Sequence, residues 1–193
     1  MSAWPFGMPS WDRLEEIVPR ACTLASESLS AFAEEPVRVE GIEVDAVAWQ
    51  DLPTFLRSDP TDPAVSAMLG IEGANPGTIA LVLSVDAAEG LAGLMLGEAH
   101  AVALDDLARS ALAEVANITG ATFLNTLAET LDSRLVPTVP HVLEAPLQVI
   151  LERMIPPEVR DTEHIPVVNT VFQIGAQAIA GFLLIFPEIV FAG

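Results

Sequence analysis

The sequence predicts an α+β fold in which two long amphipathic helices pack with a largely antiparallel β-sheet about a pseudo-twofold axis. Three observations predict it. Apolar residues recur with helical period over about 11–33, and again from Asp105 or Asp106 to about Leu131. Each helical stretch is followed by β-type alternation or by short buried apolar runs. Finally, a displacement of 98 positions lays Leu14 on Leu112, Glu16 on Glu114, Ile17 on Val115, Leu29 on Leu127 and Val37 on Leu135. Identities are few, but helix, break and strand stay in register without a gap. The expected organisation is one domain over residues 1–193, with repeat halves of about 10–100 and 104–187, each laying its helix on a common sheet.

The elements follow in order. Ser10 is a good N-cap, and acids fill the first turn of a helix from about Trp11 to Ala33 that carries Pro19 in its interior. Pro36 to Trp49 alternates as a strand. Asp51 to Pro63, with three prolines, reads as loop with a turn of helix, and Val65 to Ile71 as a short strand or helical turn. Asn75-Pro76-Gly77 is a turn before the buried strand Thr78 to Val85. Asp86 is expected to cap a helix of about Ala87 to Leu96, closed by Gly97. After the second long helix, Arg134 to Val139 and Val142 to Arg153 read as extended. Met154 to Glu163 reads as loop, and Val167 to Ile174 and Ala178 to Phe186 as strands joined near Gly175.

Composition excludes several chemistries. Acidic residues number 27 against eight basic ones, a net charge of −19, and every basic residue is arginine. Without lysine there is no Walker-type phosphate loop, Schiff base or kinase-type lysine. So negative a field repels nucleic acid and anionic lipid; it either draws a protein partner with a positive patch or serves solubility. The single cysteine, Cys22, allows no intramolecular disulfide and no cysteine-based zinc site. The three histidines, His100, His141 and His164, fall in expected loops, so no metal site is expected. The longest apolar run near the end, Ala176 to Phe186, is too short to span a bilayer, and Met1 to Ser10 lacks the features of a signal peptide. The expectation is a soluble cytoplasmic protein.

One feature of the second helix asks for a reason. At about 100° per residue, Ser110, Glu114, Asn117 and Ala121 share one column, with Ala108, Leu112, Val115, Thr119 and Phe123 on the core side. Asn in mid-helix costs roughly 0.5 kcal/mol against Ala, and Gly120 costs roughly 1 kcal/mol. With Ala113, Gly120 and Ala121 the column forms a low, smooth patch bearing two polar arms, Glu114 and Asn117. The bland alternative is a solvated face. Ser110 has no visible base and is not expected to be a nucleophile.

The spacing Ser110-x3-Glu114-x2-Asn117-x22-Pro140 resembles the signature of the CheC/CheX/FliY family of chemotaxis phosphatases. The stretches R-S-A-L-A-E-V-A-N-I-T-G-A-T-F-L-N-T-L, P-G-T-I-A-L-V-L-S-V-D-A-A-E-G-L-A-G-L-M-L-G and V-V-N-T-V-F-Q-I-G-A-Q-A-I-A-G-F-L-L-I-F-P look like its second long helix, the strand and helix between its two motifs, and its closing hairpin. The resemblance implies hydrolysis of the aspartyl phosphate on a CheY-type response regulator. Asn117 would orient the attacking water, and Glu114 would pair with the regulator's lysine. Ser110 and Pro140 would support the motif. No cofactor on this chain is implied; Mg2+ is expected on the regulator. In the first copy Asp12-x3-Glu16 is present, but Pro19 stands at the Asn position, which implies a degenerate first site. The alternatives are a binding module for CheD or the phosphorylated regulator, or a flagellar-switch component. The last is weakened by the lack of an appended switch-binding stretch.

Overall fold

The computed structural model describes residues 11–33, 35–73, 76–155 and 165–187. Its elements are α1 (Trp11–Ala33), β1 (Val37–Val47), a 3-10 turn (Trp49–Asp51), α2 (Leu52–Phe55), β2 (Pro63–Gly73), β3 (Gly77–Ser84), α3 (Val85–Met95), α4 (Asp106–Leu131), β4 (Leu135–Pro137), β5 (His141–Pro146), α5 (Leu147–Met154), β6 (Ile165–Ile174) and β7 (Gln177–Pro187). Among the described residues the strands pair antiparallel throughout, in the order β1-β6-β7-β3-β2-β4, with β5 also on β2.

The fold is α+β and pseudo-twofold. Exchanging β1 with β4–β5, β2 with β6 and β3 with β7 reverses the strand order onto itself, which puts the axis between β3 and β7. Helices α1 and α4 end 98 residues apart, at Ala33 and Leu131, and the strands that follow begin 98 apart, at Val37 and Leu135. Both outer strands are broken at matching places. The β1 register shifts between Gly41 and Glu43, and β4 is separated from β5 by 138–140.

Hydrophobic burial explains the layers. Helices α1, α3 and α4 cover one face of the sheet: Leu29, Leu91, Leu112, Val115 and Phe123 bury against Leu69, Leu81, Ile79 and Phe172. The other face carries α2 and α5, with Leu52, Leu147, Ile150 and Met154 over Val82, Val167, Leu184 and Phe186. The outer edge of β1 is closed by α1: Ser30 Oγ and Ser26 Oγ accept from the Val37 and Val39 N–H groups at 2.8 Å each. An edge strand loses part of its capacity for stray pairing in this way.

Several expectations are corrected. Ser84, not Asp86, caps α3; its side chain accepts from Ala87 N–H at 3.2 Å. Val65 to Ile71 is the middle of an eleven-residue strand, the helical-turn alternative being excluded. Leu147 to Met154 is helix rather than extended, because Leu147, Ile150, Leu151 and Met154 form a helical stripe that buries on the sheet. His141 opens β5 and is not in a loop. Ser10, Asn75, the loop from Pro156 to Glu163, and His164 lie outside the described residues.

Candidate functional site

Helix α4 starts at Asp105, whose side chain accepts from Ala108 N–H at 2.9 Å, and stops at Asp132 in the left-handed conformation. Its flanks are fixed by two ion pairs. Arg109 donates to Glu144 of β5 and, through Nε, to the Leu104 carbonyl at 3.0 Å. At the other end Glu129 accepts from Arg20 of α1 at 2.7 Å. About the helix axis, Arg109 lies roughly 140° to one side of Glu114 and Glu129 roughly 60° to the other. Asn117 lies roughly 60° toward the Arg109 side. The column therefore runs along the face of α4 between the side that meets α1 and the side that meets β4–β5, with Glu114 central and Asn117 leaning toward β5.

Ser110 is exposed, while Glu114, Asn117 and Ala121 are half-buried, because the neighbouring elements rise on both sides. The core side matches expectation: Ala108, Leu112, Val115, Thr119 and Phe123 are all buried. Gly120 does not belong to the low patch. It faces the sheet, where a Cβ would meet Leu69 Cδ1 at 3.2 Å and Ile79 Cγ2 at 3.5 Å. Glycine there allows α4 to lie close on β2 and β3. Among the described residues neither Glu114 nor Asn117 makes a hydrogen bond or ion pair through its side chain.

Simple geometry carries Pro140 back to about the level of Asn117 along α4. The chain turns after α4 and runs back along it, so β4–β5 is antiparallel to the helix. From the Arg109–Glu144 contact, four strand residues back to Pro140 cover about 13 Å, equal to about nine helical residues, which reaches Ile118. The packing agrees. Gly120 lies on Leu69, and the next residue, Gly70, is hydrogen-bonded to Thr138. The x22 spacing is thus the path length out along the helix and back along the strand. Pro140 has no N–H to give to a ladder, and it stands where the ladder on β2 is interrupted.

The first copy is different. Glu16 and Pro19 are exposed on α1, and Asp12 lies in its first turn. Pro19 offers no amide, and its missing N–H removes one helical hydrogen bond. Beside it a groove of about 650 Å³ opens between α1 and β1, lined by Pro19, Thr23, Glu27, Arg38 and Glu40 among others. Sequence reasoning did not anticipate this groove, since it depends on how α1 sits over an edge strand. Among the described residues no group of three or more His, Cys, Asp or Glu could hold a metal ion. Among the same residues, no helix is long and apolar enough to cross a membrane.

This architecture defines a class, the CheC-type α+β fold. Residues 107–144, from α4 through the start of β5, match the CheC-like family. FliY from Thermotoga maritima superposes with a TM-score of 0.75 at 20% identity, over 97% of this chain and 93% of that one. A chain of the FliG–FliM complex from H. pylori gives 0.64 at 14% identity, over 93% and 94%. CheX from Desulfovibrio desulfuricans gives 0.53 at 18% identity, over 90% and 99%. No curated protein sequence matches this chain. The segment that matches the CheC-like family carries Ser110, Glu114, Asn117 and Pro140, and the chain around it shares its fold with CheC-like, CheX and FliY structures.

Proposed function

We propose that this protein hydrolyses the aspartyl phosphate of a phosphorylated CheY-type receiver, with one working site per chain. The observation that carries this reading is the Asn117 carboxamide. It stands in mid-helix, half-buried and with no partner within the described chain, next to a carboxylate one turn away. A helix pays roughly 0.5 kcal/mol for Asn against Ala, and solvation alone gives no return for it.

The chemistry fits two polar arms. The receiver would bring its own phosphoryl group, Mg2+ and lysine, so the phosphatase need supply only position. The Asn117 side chain would hold a water in line with the aspartyl oxygen–phosphorus bond. The water oxygen bonds to phosphorus, the bond to the aspartate oxygen breaks, and the carboxylate is regenerated as inorganic phosphate leaves. Glu114 would accept the receiver's lysine and set the docking pose. Ser110 and Pro140 shape the column and its wall without touching the reacting atoms. Such a partner would place the protein in the cytoplasm.

The test is the lifetime of a phosphorylated receiver with and without the protein. Asn117→Ala should remove the acceleration, by roughly 100-fold or more, while leaving binding nearly intact. A wild-type protein that never shortens the lifetime refutes the reading.

A binding role without hydrolysis is the second reading. Pro19 in place of the first Asn favours it, as does the closer fold likeness to FliY and FliM than to CheX. It predicts a stable complex with the receiver, with CheD or with a flagellar-switch protein, and equal lifetimes in the presence of wild type and Asn117→Ala.

A further inference from the structure

We infer that Val139 is the apolar anchor of the receiver-docking surface, a positioning residue that sets affinity for the partner rather than the rate of the chemical step. The inference rests on the proposed function, because it names where that partner is held.

Val139 is 87% exposed, the most exposed large hydrophobic residue among those described; Leu107, the next, is 63% exposed. A lone exposed valine on a loose loop would carry no meaning. This one is held rigidly. On one side Thr138 is tied to β2, accepting from Gly70 N–H at 2.8 Å and donating its own N–H to the Gly70 carbonyl at 2.9 Å. On the other side Pro140 has a fixed φ. The exposure is thus built into the backbone, and little freedom is lost when a partner covers the side chain.

Its place is equally specific. Counted back from the Arg109–Glu144 contact, Val139 lies about 16 Å along the strand, level with about Gly120 of α4. That places its backbone on the β4–β5 side of α4, the side toward which Asn117 leans. The surface of α4 there carries Ala121 and Ala113, too short to obstruct an incoming surface. Leu107 stands about 10 Å along the helix from Glu114, on nearly the same side. Two apolar knobs thus bracket a carboxylate and a carboxamide, the arrangement of a contact surface with an apolar anchor beside polar recognition. The occupant this chemistry fits is a protein face presenting a cation to Glu114 with apolar surface around its phosphorylated pocket. On a chain of net charge −19, a cationic partner is also the one that approaches without repulsion.

The experiment compares Val139→Ser with Val149→Ser, a half-exposed position on α5 across the sheet. Hydrolysis of the phosphorylated receiver is measured, together with the Kd for the same receiver activated by beryllofluoride. Val139→Ser should raise KM and Kd roughly three- to ten-fold with kcat unchanged, and Val149→Ser should change neither. Unchanged Kd in Val139→Ser, or equal losses in both variants, overturns the anchor while leaving the phosphatase reading in place. If wild type binds the activated receiver without hydrolysing it, the phosphatase reading fails, and the Kd comparison still decides the anchor. If wild type does not bind the receiver, both fall.

Discussion

Gly70 and Thr138 exchange two hydrogen bonds across the gap between β4 and β5: the Gly70 N–H reaches Thr138 Oγ1 at 2.8 Å and the Thr138 N–H reaches the Gly70 carbonyl at 2.9 Å. A Cβ on Gly70 would stand 3.1 Å from both Thr138 Cγ2 and Oγ1, so a bare glycine is what lets the side chain fold back onto β2. Thr138→Val keeps the shape and removes the acceptor. It should cost about 1–2 kcal/mol by leaving the Gly70 N–H without its partner. Chemical denaturation of the two proteins measures this, and an unchanged midpoint would show that the edge is held otherwise.

Glu114 has no partner within the described chain, so its replacement should spare stability and damage docking. Glu114→Gln should lower kcat/KM for the phosphorylated receiver by roughly ten-fold with the melting temperature unchanged. Glu114→Arg should lower it further, by setting like charges against each other. Steady-state kinetics beside a thermal melt separates the two effects.

Pro19 lies inside α1 with an exposed side chain. Pro19→Ala restores a helical donor and should stabilise the fold by about 1–3 kcal/mol, raising the melting temperature by about 2–4 °C per kcal/mol. Hydrolysis should stay at the wild-type rate, because alanine supplies no amide to the first copy. A drop in activity would mean that α1 contributes to catalysis.

The net charge of −19 makes a kinetic prediction. Exposed charges are screened beyond about 8–10 Å at 0.1–0.15 M salt. The on-rate for the receiver should therefore fall as salt rises from about 0.02 to 0.5 M. A flat on-rate in stopped flow would leave solubility as the role of the acidity.

Much of this protein was legible before any coordinates. The periods of α1 and α4 gave both helices their bounds, and the displacement of 98 located two matched helix ends and strand starts. The column Ser110, Glu114, Asn117 was readable too, because residues on one helix face are neighbours through the backbone alone. What failed was local in appearance and tertiary in cause. Leu147–Met154 has an apolar content that suits strand or helix, and only the sheet face beneath it selects the helix. Spacing along α4 assigns Gly120 to a smooth outer patch, whereas in the fold it faces Leu69 and Ile79 of the sheet.

The sequence by itself determined which chemistries this chain lacks, where its helices run, and which side chains stand in register along α4. Those properties follow from composition and from the fixed 3.6-residue turn. Only the tertiary structure decided that β4 and β5 share one partner strand, that the chain after α4 runs back along the helix, and that a groove opens next to Pro19. These depend on contacts between residues far apart in the chain. Such contacts form where burial of apolar surface outweighs the entropy of closing the intervening loops, and no local spacing records that balance.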